Sequence, residues 1–137
     1  MYKVFIDTSA WMAYYLSDEP DHIRIKNLIK RFIKERTVIV TSNDIIDETV
    51  TNFIYLNPKV ANKFIEFVIK SIETKWLTQL WVDEEIQIEA FEIVQKFSGH
   101  KLSMSDATTV VLMKKYNLES IISLDSDFKK VGISTLP

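Results

Sequence analysis

The feature that most constrains this chain is a set of short apolar runs, rich in β-branched residues, that do not alternate with polar ones. Val4-Phe5-Ile6 stops abruptly at Asp7. Thr37-Val38-Ile39-Val40-Thr41 is the second run, and Ser120-Ile121-Ile122-Ser123-Leu124 is another, stopping at Asp125. A strand that is apolar on both faces must be covered on both faces. Helical patterns separate the runs, so the expected architecture is an α/β three-layer sandwich: a central, mostly parallel sheet with helices on either side. Ligands bind such sheets at the carboxyl ends of the strands. Asp7 and Asp125, each placed just past a strand, are then expected at one edge of the sheet.

The intervening segments carry 3.6-residue periodicity. Strands are expected over 2–6, 37–41, 80–82, 120–124 and 133–136. Helices are expected over 9–16, 21–34, 44–56, 59–73, 84–97 and 103–116. In the second helix Ile25, Leu28, Ile29 and Phe32 form the apolar stripe. Asn57-Pro58 and Ser98-Gly99 are breaks. Ser9 is the expected N-cap of the first helix.

There is no linker, repeat or low-complexity stretch, so residues 1–137 are expected to form one domain. Apolar residues make up 47% and charged ones 26%, the balance of a soluble globular protein. No apolar run is long enough to span a bilayer, and the first is interrupted at Asp7, against a signal peptide. The expectation is a cytoplasmic protein without a membrane partner. The chain has no cysteine, which removes disulfides, thiolate zinc sites and cysteine nucleophiles. With only Gly99 and Gly132 there is no glycine-rich phosphate loop. A net charge of −2 argues mildly against a nucleic-acid partner. A divalent cation bound among acids would reverse that local sign.

The acids carry the chemistry. Asp7 has a bland reading as a helix cap at a strand-to-helix turn. Asp106 shares a helical stripe with Val110 and Met113, and Ser103-x-x-Asp106 also matches a capping box. In Thr41-Ser42-Asn43-Asp44-Ile45-Ile46-Asp47-Glu48, Asp44 falls opposite the apolar stripe and reads as solvated or capping. Asp47 and Glu48 lie on its two borders, and periodicity does not choose between them. Asp125 ends a strand and Asp127 follows in a turn, where Asp and Ser commonly bond the local backbone. Together, Asp7, Asp106, Asp125 and one of Asp47 or Glu48 are expected at one sheet edge. Such a cluster needs a counter-charge. None of these segments supplies Lys or Arg, and the all-oxygen donor set suits Mg²⁺ or Mn²⁺ rather than zinc.

These segments resemble the acidic motifs of PIN-domain proteins, the family that includes the VapC toxins of prokaryotic toxin–antitoxin pairs. Phe5-Ile6-Asp7-Thr8-Ser9 is similar to the first motif and Thr41 to Thr49 to the second, which places its acid at Glu48. Leu102-Ser103-Met104-Ser105-Asp106-Ala107 is similar to the third and Ser123-Leu124-Asp125-Ser126-Asp127-Phe128 to the fourth. The resemblance spans nearly the whole chain in the family's order. It implies a metal-dependent endoribonuclease, usually a homodimer, with an antitoxin protein as partner and RNA as substrate. Asp7, Glu48, Asp106 and Asp125 would hold one or two Mg²⁺ ions, with Asp127 the second choice for the fourth acid. Thr8, Ser9 and Ser123 would support them, and Glu48 would take a proton.

Other features carry less. Arg24, Lys26, Lys30, Arg31, Lys34 and Arg36 form a basic helix face that could grip phosphates, though such faces are commonly just solvated. Lys129 and Lys130 follow the fourth motif. Trp11, Met12, Tyr14 and Tyr15 crowd one short helix; most are expected in the core, and any excess over what one face buries suggests a subunit interface. His22 and His100 show no ligand spacing and read as surface or capping residues. The competing readings are an RNA-processing PIN nuclease that is not a toxin, a non-catalytic binding module, and a receiver-like signalling domain. The last needs an acidic pair after the first strand, whereas Asp7 is followed by Thr8 and Ser9.

Overall fold

The computed structural model describes residues 2–99 and 101–137. Five strands, β1 (Lys3–Ile6), β2 (Val38–Ser42), β3 (Leu77–Leu80), β4 (Ser120–Ile122) and β5 (Thr135–Leu136), form one sheet in the order β3-β2-β1-β4-β5. Every ladder in it is parallel. The helices are α1 (Thr8–Tyr15), α2 (His22–Lys34), α3 (Asn43–Leu56), α4 (Pro58–Glu73), α5 (Glu84–Lys96), α6 (Met104–Lys115) and the short α7 (Asp127–Lys130). The chain runs outward from β1 through β2 to β3, then returns to lay β4 on the other side of β1. That reversal makes a crevice between the carboxyl ends of β1 and β4, the usual place for a ligand in an open α/β sheet.

Burial explains the strands. Val4, Phe5, Ile6, Ile39, Ile121 and Ile122 are all fully or almost fully enclosed, as continuous apolar strands in a two-sided sheet must be. The first core layer joins these strands to α1–α4 around an aromatic cluster. Trp11, Tyr15 and Phe53 each meet Phe64 edge-on, with ring centroids 5.6, 5.5 and 5.5 Å away. The buried indole of Trp11 donates to Thr41 Oγ1 at 3.5 Å, and Thr41 Oγ1 donates to the Ile6 carbonyl at 3.2 Å. A second cluster, of Ile86, Ala90, Leu102, Ala107, Val111 and Leu112, locks α5 to α6.

The crowded first helix is therefore core. Trp11 is completely buried, and Met12, Tyr14 and Tyr15 pack against the main cluster. Large exposed apolar side chains gather instead at the end of α3 (Ile54, Tyr55, Leu56) and along α4 (Ile65, Ile69, Ile72), with others scattered over the surface.

Most boundaries shift by a residue or two, β5 shortens to Thr135–Leu136 and α7 is unexpected, but three differences are the most informative. The third strand is Leu77–Leu80, not 80–82. Parallel pairing of Ile39 with Leu77 and Ser42 with Leu80 sets it, and the apolar Trp81 that suggested the later position is 63% exposed. The fourth strand stops at Ile122 rather than Leu124, because the Leu124 N–H leaves the ladder to meet Ser9 Oγ at 2.9 Å. Asp125 consequently lies in a turn, beyond the strand end. Ser9 is not an N-cap: it sits inside α1, whose N-cap is Asp7. Among the described residues no helix is long and apolar enough to cross a membrane. His22 Nδ1 lies 2.7 Å from the Ala13 carbonyl oxygen, tying α2 to α1, while His100 lies outside the described residues.

Candidate active site

The register of β1 on β4 builds the site. Ile6 pairs with Ile122, and the Asp7 N–H continues the ladder to the Ile122 carbonyl at 3.1 Å. Asp7 and Ser123 are thereby forced side by side at the crevice. The Asp7 backbone carbonyl caps α1, accepting from Ala10 and Trp11 at 3.1 Å, but its side chain makes no cap bond. Instead Oδ2 accepts Ser123 Oγ at 2.8 Å and Ser9 Oγ at 3.3 Å. The bland reading of Asp7 as a side-chain cap does not describe what its carboxylate does.

Ser123 continues the chain of contacts. Its Oγ accepts the Asp125 N–H at 3.0 Å, and Asp125 Oδ1 accepts the Asp127 N–H at 2.9 Å. The fourth motif is thus an Asx-type turn that presents two carboxylates close together. Thr8, directly after Asp7, is 5% exposed, and its Oγ1 is buried without a hydrogen-bond partner among the described residues. A buried hydroxyl left unpaired is destabilising unless something else meets it.

The other two acids come from helices. Ser42 caps α3 through Ile45 N–H at 3.1 Å. That start turns Asp47 to solvent and leaves Glu48 half-buried, with Oε2 accepting Ser105 Oγ at 2.6 Å. Asp106 opens α6 in a complete capping box: its N–H meets Ser103 Oγ at 3.1 Å, and the Ser103 N–H meets Asp106 Oδ2 at 3.3 Å. The cap and the inward placement hold together, for Asp106 is only 8% exposed. Asp44, expected as solvated or capping, is half-buried and accepts Thr108 Oγ1 at 3.0 Å, tying α3 to α6.

Ser105 is the partner that sequence reasoning passed over. Its signal was its place next to Asp106 at the start of a helix, which puts neighbouring hydroxyl and carboxylate on adjoining faces.

Electrostatics mark the cluster as under-neutralised. Burial, with the charges of Asp106 and Glu48 adding to it, raises the Asp7 carboxyl from 3.8 to about 6, against the hydrogen bonds from the Ser123 hydroxyl and the Thr8 backbone that lower it. Burial also raises Asp106, opposed by its bonds from Ser103 and reinforced by Asp125 and Glu48. Among the described residues no Lys, Arg or His pairs with Asp7, Glu48, Asp106 or Asp125; the nearby pair is Lys130 with Asp127 at 3.1 Å.

One carboxylate oxygen from each of Asp106, Asp125 and Asp127 lies within 4.8 Å of the others. All the donors are oxygens, which fits a hard divalent cation such as Mg²⁺ or Mn²⁺. Asp125 and Asp127, weighed as alternatives from the sequence, both belong to this group. Asp7 and Glu48 interact electrostatically with it without belonging to it, and one oxygen of each accepts a hydroxyl, from Ser123 and Ser105 respectively.

The sequence profile of the PIN domain family matches residues 4–134. The chain belongs to the PIN domain family. Among curated proteins it is similar to the 23S rRNA-specific endonuclease VapC20 of Mycobacterium tuberculosis, 25% identical over 130 residues, which cover 94% of each chain. It is also similar to Ribonuclease VapC26 of the same organism, 27% identical over 123 residues covering 89% of this chain and 86% of that one. The crystal structure of VapC20, a toxin that cleaves the sarcin–ricin loop, shares the fold with a TM-score of 0.80 at 22% identity, over 95% of both chains. VapBC2 of Rickettsia felis, bound to a DNA fragment from its promoter, shares it with a TM-score of 0.71 at 10% identity, over 98% of this chain and 97% of that one. The all-parallel α/β fold described above is thus that of a PIN domain.

Proposed function

We propose that this PIN-domain protein is a divalent-metal-dependent endoribonuclease and the toxin of a type II toxin–antitoxin pair. The observation that carries the reading is the compact group of Asp106, Asp125 and Asp127, with Asp7 and Glu48 near enough to act on it electrostatically and, among the described residues, no cationic side chain paired with Asp7, Glu48, Asp106 or Asp125. The endonuclease and ribonuclease names of the curated relatives support it. The fold shared with VapBC2 supports an antitoxin as partner.

Asp106, Asp125 and Asp127 would hold Mg²⁺ or Mn²⁺, with Asp7 and Glu48 completing the ligand set directly or through water. When bound, the cation neutralises the crowded carboxylates, polarises a phosphodiester oxygen and makes water more acidic. Ser123 and Ser9 fix the Asp7 carboxylate by donating to one of its oxygens. Ser105 does the same for Glu48 Oε2, leaving Oε1 to take the proton from a water directed in line at phosphorus. The exposed apolar side chains of α3 and α4 offer surface for an antitoxin or for a second copy in a homodimer. The protein would act in the cytoplasm, where its RNA substrate is.

RNA cleavage with Mg²⁺ or Mn²⁺, with and without EDTA, tests the activity in the wild type and Asp106→Asn. The reading predicts cleavage with metal only, and loss on substitution. Activity that survives both EDTA and the substitution would sink it. Growth arrest on expression, relieved by co-expressing the neighbouring small open reading frame, separates a toxin from an RNA-processing enzyme.

A further inference from the structure

A depression of about 240 Å³ opens directly beside the acidic centre, sharing Ser123 and Asp125 with it and lined beyond them by Lys129 and Arg24. A second, of about 370 Å³, shares Arg24 and Pro137 with the first and runs on past Asn27 to Arg31. The two make a continuous track leading away from the acids. Arg24, Asn27, Leu28 and Arg31 follow i, i+3, i+4, i+7 spacing, so they line one face of α2. Lys26 and Lys30 point to the far side of that helix.

The charges along the track are available. Lys129 makes no ion pair among the described residues, whereas its neighbour Lys130 is engaged with Asp127 at 3.1 Å. Arg24 and Arg31 touch Asp21 and Glu35 at 3.6 and 3.8 Å, in loose, exposed pairs that a phosphate can replace. Acids line only the end nearest the centre, Asp21 and Asp125. The second depression has two guanidinium groups and no acid. Lys129, Arg24 and Arg31 are thus spaced along the track, the two guanidinium groups held only by exposed acids and, for Arg31, by the face of the Phe32 ring 5.2 Å away. A planar guanidinium is the side chain best shaped to grip phosphate oxygens.

We propose that this track seats the phosphodiester backbone of the RNA on one side of the cut, with Lys129, Arg24 and Arg31 meeting successive phosphates. The inference rests on the ribonuclease reading and selects, from the basic residues of the chain, three that bind and two that do not. Because the contacts are to phosphates, they give affinity and register without base preference.

The test is binding of a mixed-sequence single-stranded RNA in EDTA, followed by fluorescence anisotropy across a salt series. For R24Q/R31Q/K129Q, affinity falls roughly tenfold or more at low salt. The slope of log affinity on log salt falls by about 0.7 for each phosphate contact removed, or about 2 in all. K26Q/K30Q binds like the wild type. An unchanged Mg²⁺-induced thermal shift in both variants shows that fold and acidic centre are intact. Wild-type cleavage with unaltered RNA binding in the triple variant overturns the track and leaves the ribonuclease reading standing. Equal losses in both variants replace the track with diffuse attraction. A wild type that neither binds nor cleaves RNA removes both readings.

Discussion

Replacing Asp7 by Asn isolates the energetic tension at the centre of the fold. The Asp7 carboxyl is raised from 3.8 to about 6, chiefly by burial. The folded state therefore binds this proton more tightly than the unfolded chain does. Its stabilising contribution is fully present below about pH 4 and is lost as pH rises through about 6. Each pKa unit corresponds to about 1.4 kcal/mol, so the gap of roughly two units makes the metal-free protein about 3 kcal/mol less stable near pH 7 than this group alone would leave it near pH 4. Asn carries no charge and can still accept from Ser123 and Ser9. It forfeits the Thr8 backbone bond if its amide group faces that way, a loss of about 1 kcal/mol. The net expectation for Asp7→Asn in EDTA at neutral pH is a gain of about 2 kcal/mol, or roughly 8 °C in Tm for a chain of this length. Asp106 is raised in the same direction and is present in both proteins, so the comparison cancels it to first order. Urea unfolding across about pH 4 to pH 7.5 measures the effect. The wild-type curve falls relative to that of the variant by about 3 kcal/mol over the interval, and added Mg²⁺ restores the wild type far more than the variant. Parallel pH curves for the two proteins would refute the buried, under-neutralised Asp7 described here.

Two further outcomes follow from individual contacts. Ser105→Ala removes the 2.6 Å bond to Glu48 and should lower cleavage by roughly 10- to 100-fold while leaving the melting temperature nearly unchanged; Ser105→Thr, which keeps a hydroxyl, should recover part of the rate, and equal activity of all three proteins would deny Ser105 a positioning role. Phe64→Ala empties the site where Trp11, Tyr15 and Phe53 converge, and denaturant unfolding should show a loss of about 3–5 kcal/mol, which a loss below about 1 kcal/mol would contradict.

Much of the fold was legible because its strands are buried on both faces and say so residue by residue. Val4-Phe5-Ile6 and Val38-Ile39-Val40 admit few other readings. The third strand was misplaced because Leu80-Trp81-Val82 is more apolar than Leu77-Thr78-Gln79, although the latter lies next to β2. Pairing with a neighbour is a long-range fact that local hydropathy does not contain. The same applies to Leu124, whose backbone N–H goes to Ser9, a residue 115 positions away. The choice between Asp47 and Glu48 was not open to periodicity, since both border the stripe; the Ser42 cap and the hydroxyl of Ser105 on another helix turn Glu48 inward. What sequence order could supply was the edge, because every parallel strand delivers its carboxyl end to the same side.

That common edge explains why the most buried acid need not be the one most directly engaged with a cation. Asp7 follows the central strand, so it is the deepest and the most desolvated, and hydroxyls already occupy the oxygen that faces β4. The tight group of Asp106, Asp125 and Asp127 is built from the first turn of α6 and the Asx-type turn that follows β4. A site made this way divides its tasks. In the proposed reading Asp7, after the central strand, adds negative potential, and Asp106, Asp125 and Asp127 would supply ligands. The cost of burying the Asp7 carboxylate, added to by its acidic neighbours, is the counterpart of the affinity such a centre would show for a divalent cation, since a bound cation would relieve it in the loaded state. On the proposed reading Asp7→Asn weakens cation binding while leaving the Asp106–Asp125–Asp127 geometry intact, whereas Asp125→Asn weakens it further by removing one of the three carboxylates of the group itself.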